Sequence, residues 1–309
     1  MAGILVYSEK ESLALELLSA ARIIAGSLGK EIKAVTINDN EQANALSQAG
    51  ASVYNITSQA INSSDPAVLA SCLKEAVTRL GIDIVLLSSN RKGKELAGRI
   101  AQAIDAGCLT DVSTIGVSEG RIECQRNALG GATVATQYIA SGRQVIAIRP
   151  KSFEPASQAP GTVNQLDIQL KASKLKVLET KPKRGDSIDI ESVDILVAVG
   201  QGLKEQTDLA MVNDLAQKLG GEVACSKPLA TDKKWFSEER VIGLSGKKCK
   251  PGLAVLLGIS GQVQFTVGIR DARIIVSVNE DQNAPINYMS DYILTGDLYK
   301  IVPELNRLL

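Results

Sequence analysis

Short, uninterrupted apolar runs alternate with helix-forming segments through the first third of this 309-residue chain. The strand-length runs lie at 4–7, 32–37, 52–56 and 84–89. A strand that is apolar at consecutive positions is buried on both faces, which is typical of parallel strands covered by helices. The pattern therefore predicts an α/β fold with a mainly parallel, doubly wound sheet.

The pattern changes after Gly116, where strand-like pieces are joined by turns. We interpret the pieces at 121–126, 133–139 and 144–148 as an antiparallel extension of the same sheet. A proline-punctuated segment follows, and it leads to a last predicted strand near 174–178.

The segment 180–186 is charged and is broken by Pro182 and Gly185, so we interpret it as a linker. A chain of this length is also longer than most single domains. We therefore predict an N-terminal α/β domain at 1–187, with the linker beginning near 180, and a second domain at 188–309.

The second domain restarts with a buried strand at 194–199 that ends in a glycine turn. A helix with one apolar face follows and is closed by Gly220-Gly221. The remaining predicted elements are strands at 222–224, 253–257 and 273–278 and a helix at 298–309. This order predicts a second mainly parallel, doubly wound sheet.

The chain has no histidine, and its five cysteines are scattered without a CxxC pair. The lack of histidine excludes Ser-His-Asp and Cys-His catalysis as well as histidine metal ligands. The cysteine spacing does not fit a zinc or iron–sulfur framework, so we expect no metal site. Lys plus Arg and Asp plus Glu are both 34, and this balance does not favour a nucleic-acid partner.

The first residues form an apolar strand without the pattern of a signal peptide. No apolar run approaches the ~20 residues that a membrane-spanning helix needs. We therefore expect a cytoplasmic protein with reduced cysteines that does not itself span a membrane.

Two glycine turns follow predicted strands of the second domain, where open parallel sheets bind their ligands. Gly200-Gln201-Gly202 lacks the third glycine of the dinucleotide fingerprint. The segment 258–265 runs from a strand through Gly-Ile-Ser-Gly, whose small residues would let a phosphate approach backbone amides. Each turn fits a packing turn as well as a ligand loop.

Other loops of the second domain add polar side chains. Ser226 and Lys227 follow one strand, and Ser245 lies in another glycine-rich turn. Asn279 and Asp297 could hydrogen-bond a ribose or an adenine, although Asp297 also fits a helix N-cap. Polar loops without a catalytic acid–base pair suggest a bound dinucleotide rather than a hydrolytic site.

These loops resemble, in the same order, the FAD-binding domain of electron transfer flavoprotein alpha subunits, which are often called FixB-like. The resemblance covers the chain after about residue 190. The first domain resembles that of the family more loosely, at 90–101 and 109–112. The matching blocks of the second domain are 199–204, 225–227, 243–247, 258–264, 275–281, 283–286 and 291–305.

The resemblance implies that FAD lies extended in a Rossmann-like (DHS-like) second domain. Residues 260–265 would run from the diphosphate to the flavin, and 242–245 would lie beside the ring, with the Ser245 hydroxyl offered to flavin N5. Asn279, Asp297 and Leu298 would lie near the adenosine half. The full set of cofactor-binding residues implied is Gln201, Ser226, Lys227, Ile242, Gly243, Leu244, Ser245, Ser260, Gly261, Gln262, Val263, Gln264, Phe265, Asn279, Asp297 and Leu298.

The sequence departs from the family pattern mainly at the flavin end. Lys227 and Gln201 stand where the family has arginine, and Phe265 stands where it has histidine. Leu244 replaces a glutamine, and Ser245 replaces a threonine. Fewer hydrogen-bond donors and less positive charge near the flavin stabilise its anionic form less. We therefore expect a lower first reduction potential than in relatives with arginine and histidine.

The resemblance implies an electron carrier with no catalytic residues of its own, working as a heterodimer with a beta subunit. It would accept electrons from flavin dehydrogenases and pass them to an acceptor, and the first domain would pack on the beta subunit. The resemblance leaves open whether the complex bifurcates electrons. The alternatives are a nicotinamide-dependent oxidoreductase and a structural subunit with weak or lost FAD.

Three further residues flank these loops. Trp235 either anchors its loop by packing or approaches the flavin. We assign no redox role to Cys225 or Cys249.

Overall fold

The structure is a computed structural model, and it describes residues 3–58, 61–62, 64–131, 133–169, 173, 175, 178–179 and 189–309. The chain divides into two compact units, Met1–Glu179 (unit 1) and Thr180–Leu309 (unit 2). The predicted linker at 180–186 lies outside the described residues, as does most of the predicted strand near 174–178.

Strands and helices alternate along most of the chain. The strands are β1 (Gly3–Tyr7), β2 (Ile32–Ile37), β3 (Ser52–Ile56), β4 (Ile82–Ser88), β5 (Gly107–Ser118), β6 (Arg121–Ala128), β7 (Thr133–Tyr138), β8 (Gln144–Ile148), β9 (Thr162–Gln165), β10 (Ile195–Val199), β11 (Glu222–Cys225), β12 (Leu253–Leu257), β13 (Ile274–Asn279) and β14 (Tyr292–Thr295). The α-helices are α1 (Glu11–Leu28), α2 (Asn40–Gln48), α3 (Pro66–Arg79), α4 (Arg91–Ala103), α5 (Leu209–Leu219), α6 (Lys227–Thr231), α7 (Val263–Thr266) and α8 (Leu298–Leu308).

Unit 1 is built on a nine-stranded sheet in the order β7-β6-β5-β8-β4-β1-β2-β3-β9. All neighbouring pairs are parallel except β5 with β6 and β6 with β7. Helices α1 and α2 cover one face, and α3 and α4 cover the other. The predicted mainly parallel, doubly wound sheet is therefore confirmed, as is an antiparallel extension at β6 and β7.

The predicted antiparallel orientation of 144–148 is wrong. Strand β8 lies inside the sheet between β4 and β5 and is parallel to both. Val145, Ile146, Ala147 and Ile148 are all buried. An apolar run buried on both faces is what a central parallel strand requires.

Two edge strands were not predicted. Strand β9 pairs with β3 at one edge of the first sheet, and β14 pairs with β13 at one edge of the second. Every residue of both strands is exposed. Strand β9 carries no apolar run from which a strand is predicted, whereas β14 includes the short apolar run Tyr292-Ile293-Leu294, which was not recognised as a strand.

Unit 2 is built on a five-stranded, entirely parallel sheet in the order β11-β10-β12-β13-β14. Helices α5 and α8 pack on one face. The other face is covered by apolar side chains from loops and short turns, including Ile242, Ile259 and Phe265. In the sheet, β11 lies beside β10 on one side and β12 lies beside it on the other. The strand order therefore reverses between β10 and β12, and such a point leaves a crevice for a ligand.

No helix in the described part of the chain combines the length and the apolar character needed to cross a bilayer.

Candidate cofactor site

A cavity of about 720 Å³ opens at the crevice of unit 2. Residues that end or follow each of the five strands line it. Gly200 and Gly258 follow the central strands β10 and β12. Ser226 follows β11, Asn279 is the last residue of β13, and Asp297 lies shortly after β14. The cavity therefore lies where an open parallel sheet holds a ligand, and its volume is typical of a cofactor site.

The two glycine turns pack against each other at the floor of this cavity. The Gly202 amide donates a hydrogen bond to the Gly258 carbonyl at 3.0 Å. Gly258 has a φ of +60°, and a Cβ there would lie 2.7 Å from the Gly202 Cα. Both turns are thus packing turns, and both also line the cavity, while the ligand-loop interpretation stays a prediction.

The loop after β12 presents a row of backbone donors. In the part of the chain that the structure describes, the amides of Ser260, Gly261 and Gln262 donate no hydrogen bond to a protein acceptor. The loop is held instead by its carbonyl side, since the Ser260 carbonyl accepts from the Ile286 amide at 3.2 Å. Consecutive unpaired amides form a concave donor set that suits a phosphate group.

Gly261 allows this loop to take its shape. Its φ is +88°, and a Cβ would lie 2.1 Å from the Ile286 nitrogen. Any larger residue would push the loop away from the segment that supports it.

Asn279 and Asp297 are both engaged within the protein. The Asn279 amide group donates to the Ile259 carbonyl at 2.8 Å, and its oxygen accepts from the Asp281 amide at 3.0 Å. Asp297 caps α8, with its Oδ1 accepting from the Tyr299 amide at 2.9 Å. The N-cap interpretation of Asp297 is therefore confirmed, and Asn279 joins the donor loop to the end of β13.

One wall of the cavity is apolar. Phe265 is only 7% exposed and belongs to the same buried cluster as Ile242 and Ile259. The turn that carries Ser245 packs on this wall, because the Leu244 amide donates to the Gln264 carbonyl at 2.7 Å. Phe265 offers no hydrogen bond to a ligand, so this wall suits a flat, aromatic group.

Thirteen of the sixteen predicted site residues line the cavity. They are Gln201, Ser226, Lys227, Ile242, Gly243, Ser245, Ser260, Gln262, Gln264, Phe265, Asn279, Asp297 and Leu298.

The other three predicted residues, Leu244, Gly261 and Val263, do not line the cavity. The side chains of Leu244 and Val263 are 63% and 64% exposed, and Gly261 contributes to the site only through its backbone.

Several lining residues were not singled out from the sequence. Lys204 and Tyr299 lie inside blocks that carried the family resemblance, but nothing in a single sequence brings these two positions together. Thr231, Asp232, Glu280 and Asp281 also line the cavity. They follow strands or lie at the short helix α6. Their position in the sequence could therefore have identified them as candidate site residues.

Trp235 packs against the buried cluster beneath α5 and α8. Its amide donates to the Leu229 carbonyl at 2.9 Å, and the Lys233 ammonium lies 4.1 Å from its ring centre. Trp235 is not among the residues that line the cavity. These contacts fit the interpretation of Trp235 as a loop anchor.

Cys225 and Cys249 are both buried. Burial raises the pKa of the Cys225 thiol to about 12. A thiol with such a pKa is not a reactive thiolate at neutral pH.

A flavin dinucleotide fits these residues. The unpaired amides of 260–262 suit its diphosphate. The wall around Phe265 suits its ring system, and the Asp297 carboxylate after β14 can still accept a hydrogen bond from a ribose hydroxyl.

Comparison with known proteins gives independent matches to both units. Residues 5–172 match the family model of the electron transfer flavoprotein domain, and residues 189–270 match that of the electron transfer flavoprotein FAD-binding domain. The chain is 30% identical over 307 residues to protein FixB of Escherichia coli O157:H7, covering 97% of this chain and 96% of that protein. Protein FixB of Shigella flexneri is also 30% identical, and that of Escherichia coli K12 / DH10B is 29% identical, over the same shares.

Proposed function

The chain belongs to the electron transfer flavoprotein family as an alpha subunit, and on this premise we propose that it relays electrons between flavin dehydrogenases and an acceptor. It does so as a heterodimer with a beta subunit that packs on unit 1. The chain itself is an electron carrier and has no catalytic acid–base residues. A second flavin in the beta subunit would make the complex a bifurcating one.

The observation that carries this proposal is the donor loop after β12. Three consecutive amides that have no acceptor among the described residues lie at the switch point of a parallel sheet. A diphosphate supplies the acceptors that these amides need. We propose that 260–262 hold the diphosphate of FAD.

The remaining site residues orient the cofactor. When bound, FAD supplies the reversible electron chemistry. We propose that Phe265 and Ile242 bury one side of the flavin ring and exclude water from it. The Ser245 hydroxyl offers a hydrogen bond to flavin N5, and Lys227 supplies positive charge at the mouth of the site.

Asn279 acts on the donor loop rather than on the cofactor directly. Its amide group fixes the Ile259 carbonyl at 2.8 Å, immediately before the three amides. Asp297 and Leu298 lie at the start of α8, on the side proposed for the adenosine half.

The test is to co-express the chain with its beta subunit in the cytoplasm and to purify the pair with excess FAD. We expect a yellow heterodimer that keeps one FAD in the alpha subunit after gel filtration and can be reduced by a partner dehydrogenase. A colourless pair that binds NADPH tightly would favour a nicotinamide-dependent enzyme instead. A stable pair with no retained flavin would favour a structural subunit.

A further inference from the structure

A hydrogen-bonded tyrosine lies at the end of the cavity near the two glycine turns. The Tyr299 hydroxyl donates to the Asp208 carboxylate at 2.5 Å and accepts from the Lys204 amide at 2.8 Å. Burial and the Asp208 carboxylate raise the pKa of the phenol, so it remains a donor throughout the physiological pH range. These bonds join the start of α8 to the loop after β10 and fix the position of the Tyr299 ring.

Lys204 is held against this ring. Its ammonium lies 5.1 Å from the centre of the Tyr299 ring, within the range of a cation–π interaction. Both side chains line the cavity. A lysine that is already restrained loses less conformational entropy when it meets a ligand than a free surface lysine does.

The charges that line the cavity make such a cation important. Lys204 and Lys227 are the only cationic residues among those that line the described cavity. Four carboxylates also line it: Asp232, Glu280, Asp281 and Asp297. This excess of negative charge would repel a diphosphate unless a cation lay close to the phosphates.

Lys204 lies at the end of the cavity where a cation close to the phosphates is needed. The Leu298 side chain, next to Tyr299, reaches the contact between Gly202 and Gly258. The donor loop begins directly after Gly258. Residue 201, in the first glycine turn, is a neutral glutamine.

We propose that Lys204, positioned by the Tyr299 ring and its bonds to Asp208, contacts the diphosphate of the bound dinucleotide and sets its affinity. This inference rests on the proposed function, because it names a further residue of the same site. It assigns to Lys204 a contact that the resemblance of the sequence to its family did not imply.

The test compares Lys204→Met, Lys204→Arg and Lys300→Met in the heterodimer after removal of its flavin. Lys300 is an exposed lysine on α8 that does not line the cavity, so its variant controls for the lost charge. The dissociation constants of FAD, ADP and riboflavin are measured at low and high salt. Riboflavin has the ring but no phosphate, and ADP has the diphosphate but no flavin.

We expect Lys204→Met to weaken both FAD and ADP about tenfold or more at low salt and to leave riboflavin within about twofold of the wild type. The loss of FAD and ADP affinity should be smaller at high salt, because salt screens a partly exposed contact between charges. Lys204→Arg should restore most of the affinity, and Lys300→Met should have little effect.

Two Tyr299 variants test the positioning. Tyr299→Phe keeps the ring but removes the hydroxyl, and we expect it to weaken the binding of FAD and ADP less than Tyr299→Leu, which removes both.

An equal loss of riboflavin and ADP affinity in Lys204→Met would show a merely structural role and overturn the inference. Unchanged FAD and ADP affinities would also overturn it but leave the proposed function standing. A wild-type heterodimer that binds no FAD would remove the basis of both.

Discussion

The two units have the same kind of topological switch point, but charged side chains pair with one another at the one in unit 1. In unit 1 the strand order reverses between β1 and β4, so a crevice is expected at the carboxyl ends of these strands. The residues there bind one another. Lys92 pairs with Glu9 at 2.8 Å, and Lys94 pairs with Asp111 at 2.7 Å.

Side chains also bond parts of the unit 1 backbone at this point. Asn90 caps α4 by accepting from the Gly93 amide at 2.8 Å, and Gln42 donates to the Ser8 carbonyl at 3.0 Å. In the part of the chain that the structure describes, the amides of 260–262 in unit 2 and of 90–92 in unit 1 donate no hydrogen bond to the protein. The two switch points therefore differ in their side chains: paired charges meet in unit 1, and a cavity opens in unit 2.

This difference supports separate roles for the two units. We propose that unit 2 holds FAD and that unit 1 serves as the surface for the beta subunit.

Adding a side chain at the floor of the cavity in unit 2 should have the largest effect on FAD affinity. Gly258→Ala places a Cβ 2.7 Å from the Gly202 Cα at a φ of +60°. The left-handed backbone costs about 1–2 kcal/mol and the overpacking about 1–3 kcal/mol. We expect FAD affinity to fall about 100-fold, as measured by flavin fluorescence titration.

The matched control for this variant lies in unit 1. Gly98→Ala adds a Cβ with no atom within 4 Å inside α4. It should leave FAD affinity unchanged and stabilise the helix by about 0.5–1 kcal/mol. Normal FAD affinity in Gly258→Ala would show that the interlocked turns do not shape the site.

Adding a donor to the apolar wall should have an intermediate effect. Phe265→His would offer the flavin a hydrogen bond that Phe265 cannot make. A net gain of about 0.5–1.5 kcal/mol for the reduced form corresponds to a rise of about 20–60 mV in the first reduction potential. Spectroelectrochemical titration measures this shift, and Phe265→Leu serves as the apolar control. A potential that stays the same or falls would refute the expectation drawn from the sequence.

Breaking an ion pair at the unit 1 switch point should have the smallest effect. Lys94→Met removes the partner of Asp111 in a pair whose side chains are 38% and 30% exposed. Such pairs contribute about 0–1 kcal/mol, so urea denaturation should show a loss within that range. FAD content should not change. A loss of FAD from unit 2 in the Lys94→Met variant would show that the ion pair in unit 1 affects the cofactor site of unit 2.

The sequence predicted most of the fold because the central strands are buried on both faces. Strands such as β1, β4 and β12 are continuous apolar runs, and such runs can be read without a structure. Edge strand β9 carries no such run, and the short apolar run of edge strand β14 is exposed, unlike those of the central strands. The orientation of β8 depends on which strands it joins, and the run at 144–148 alone does not specify that.

The site was predicted as a set of loops more successfully than as a set of contacts. The glycine turns and Ser260 follow strands, and their position in the chain indicates a ligand crevice. Lys204 and Tyr299 are 95 residues apart, so only the fold brings the ammonium over the ring. Asn279 was expected beside the ribose, but its bond to Ile259 could not be inferred without the loop geometry.

The most direct test of the central claim is amide hydrogen exchange in the heterodimer with and without FAD. The amides of 260–262 have no acceptor among the residues that the structure describes, so they should exchange fast without the cofactor and become protected when its diphosphate accepts from them. Residues 89–94 at the switch point of unit 1 should show no change. Unaltered exchange at 260–262 on saturation with FAD, or protection at 89–94 instead, would contradict the account.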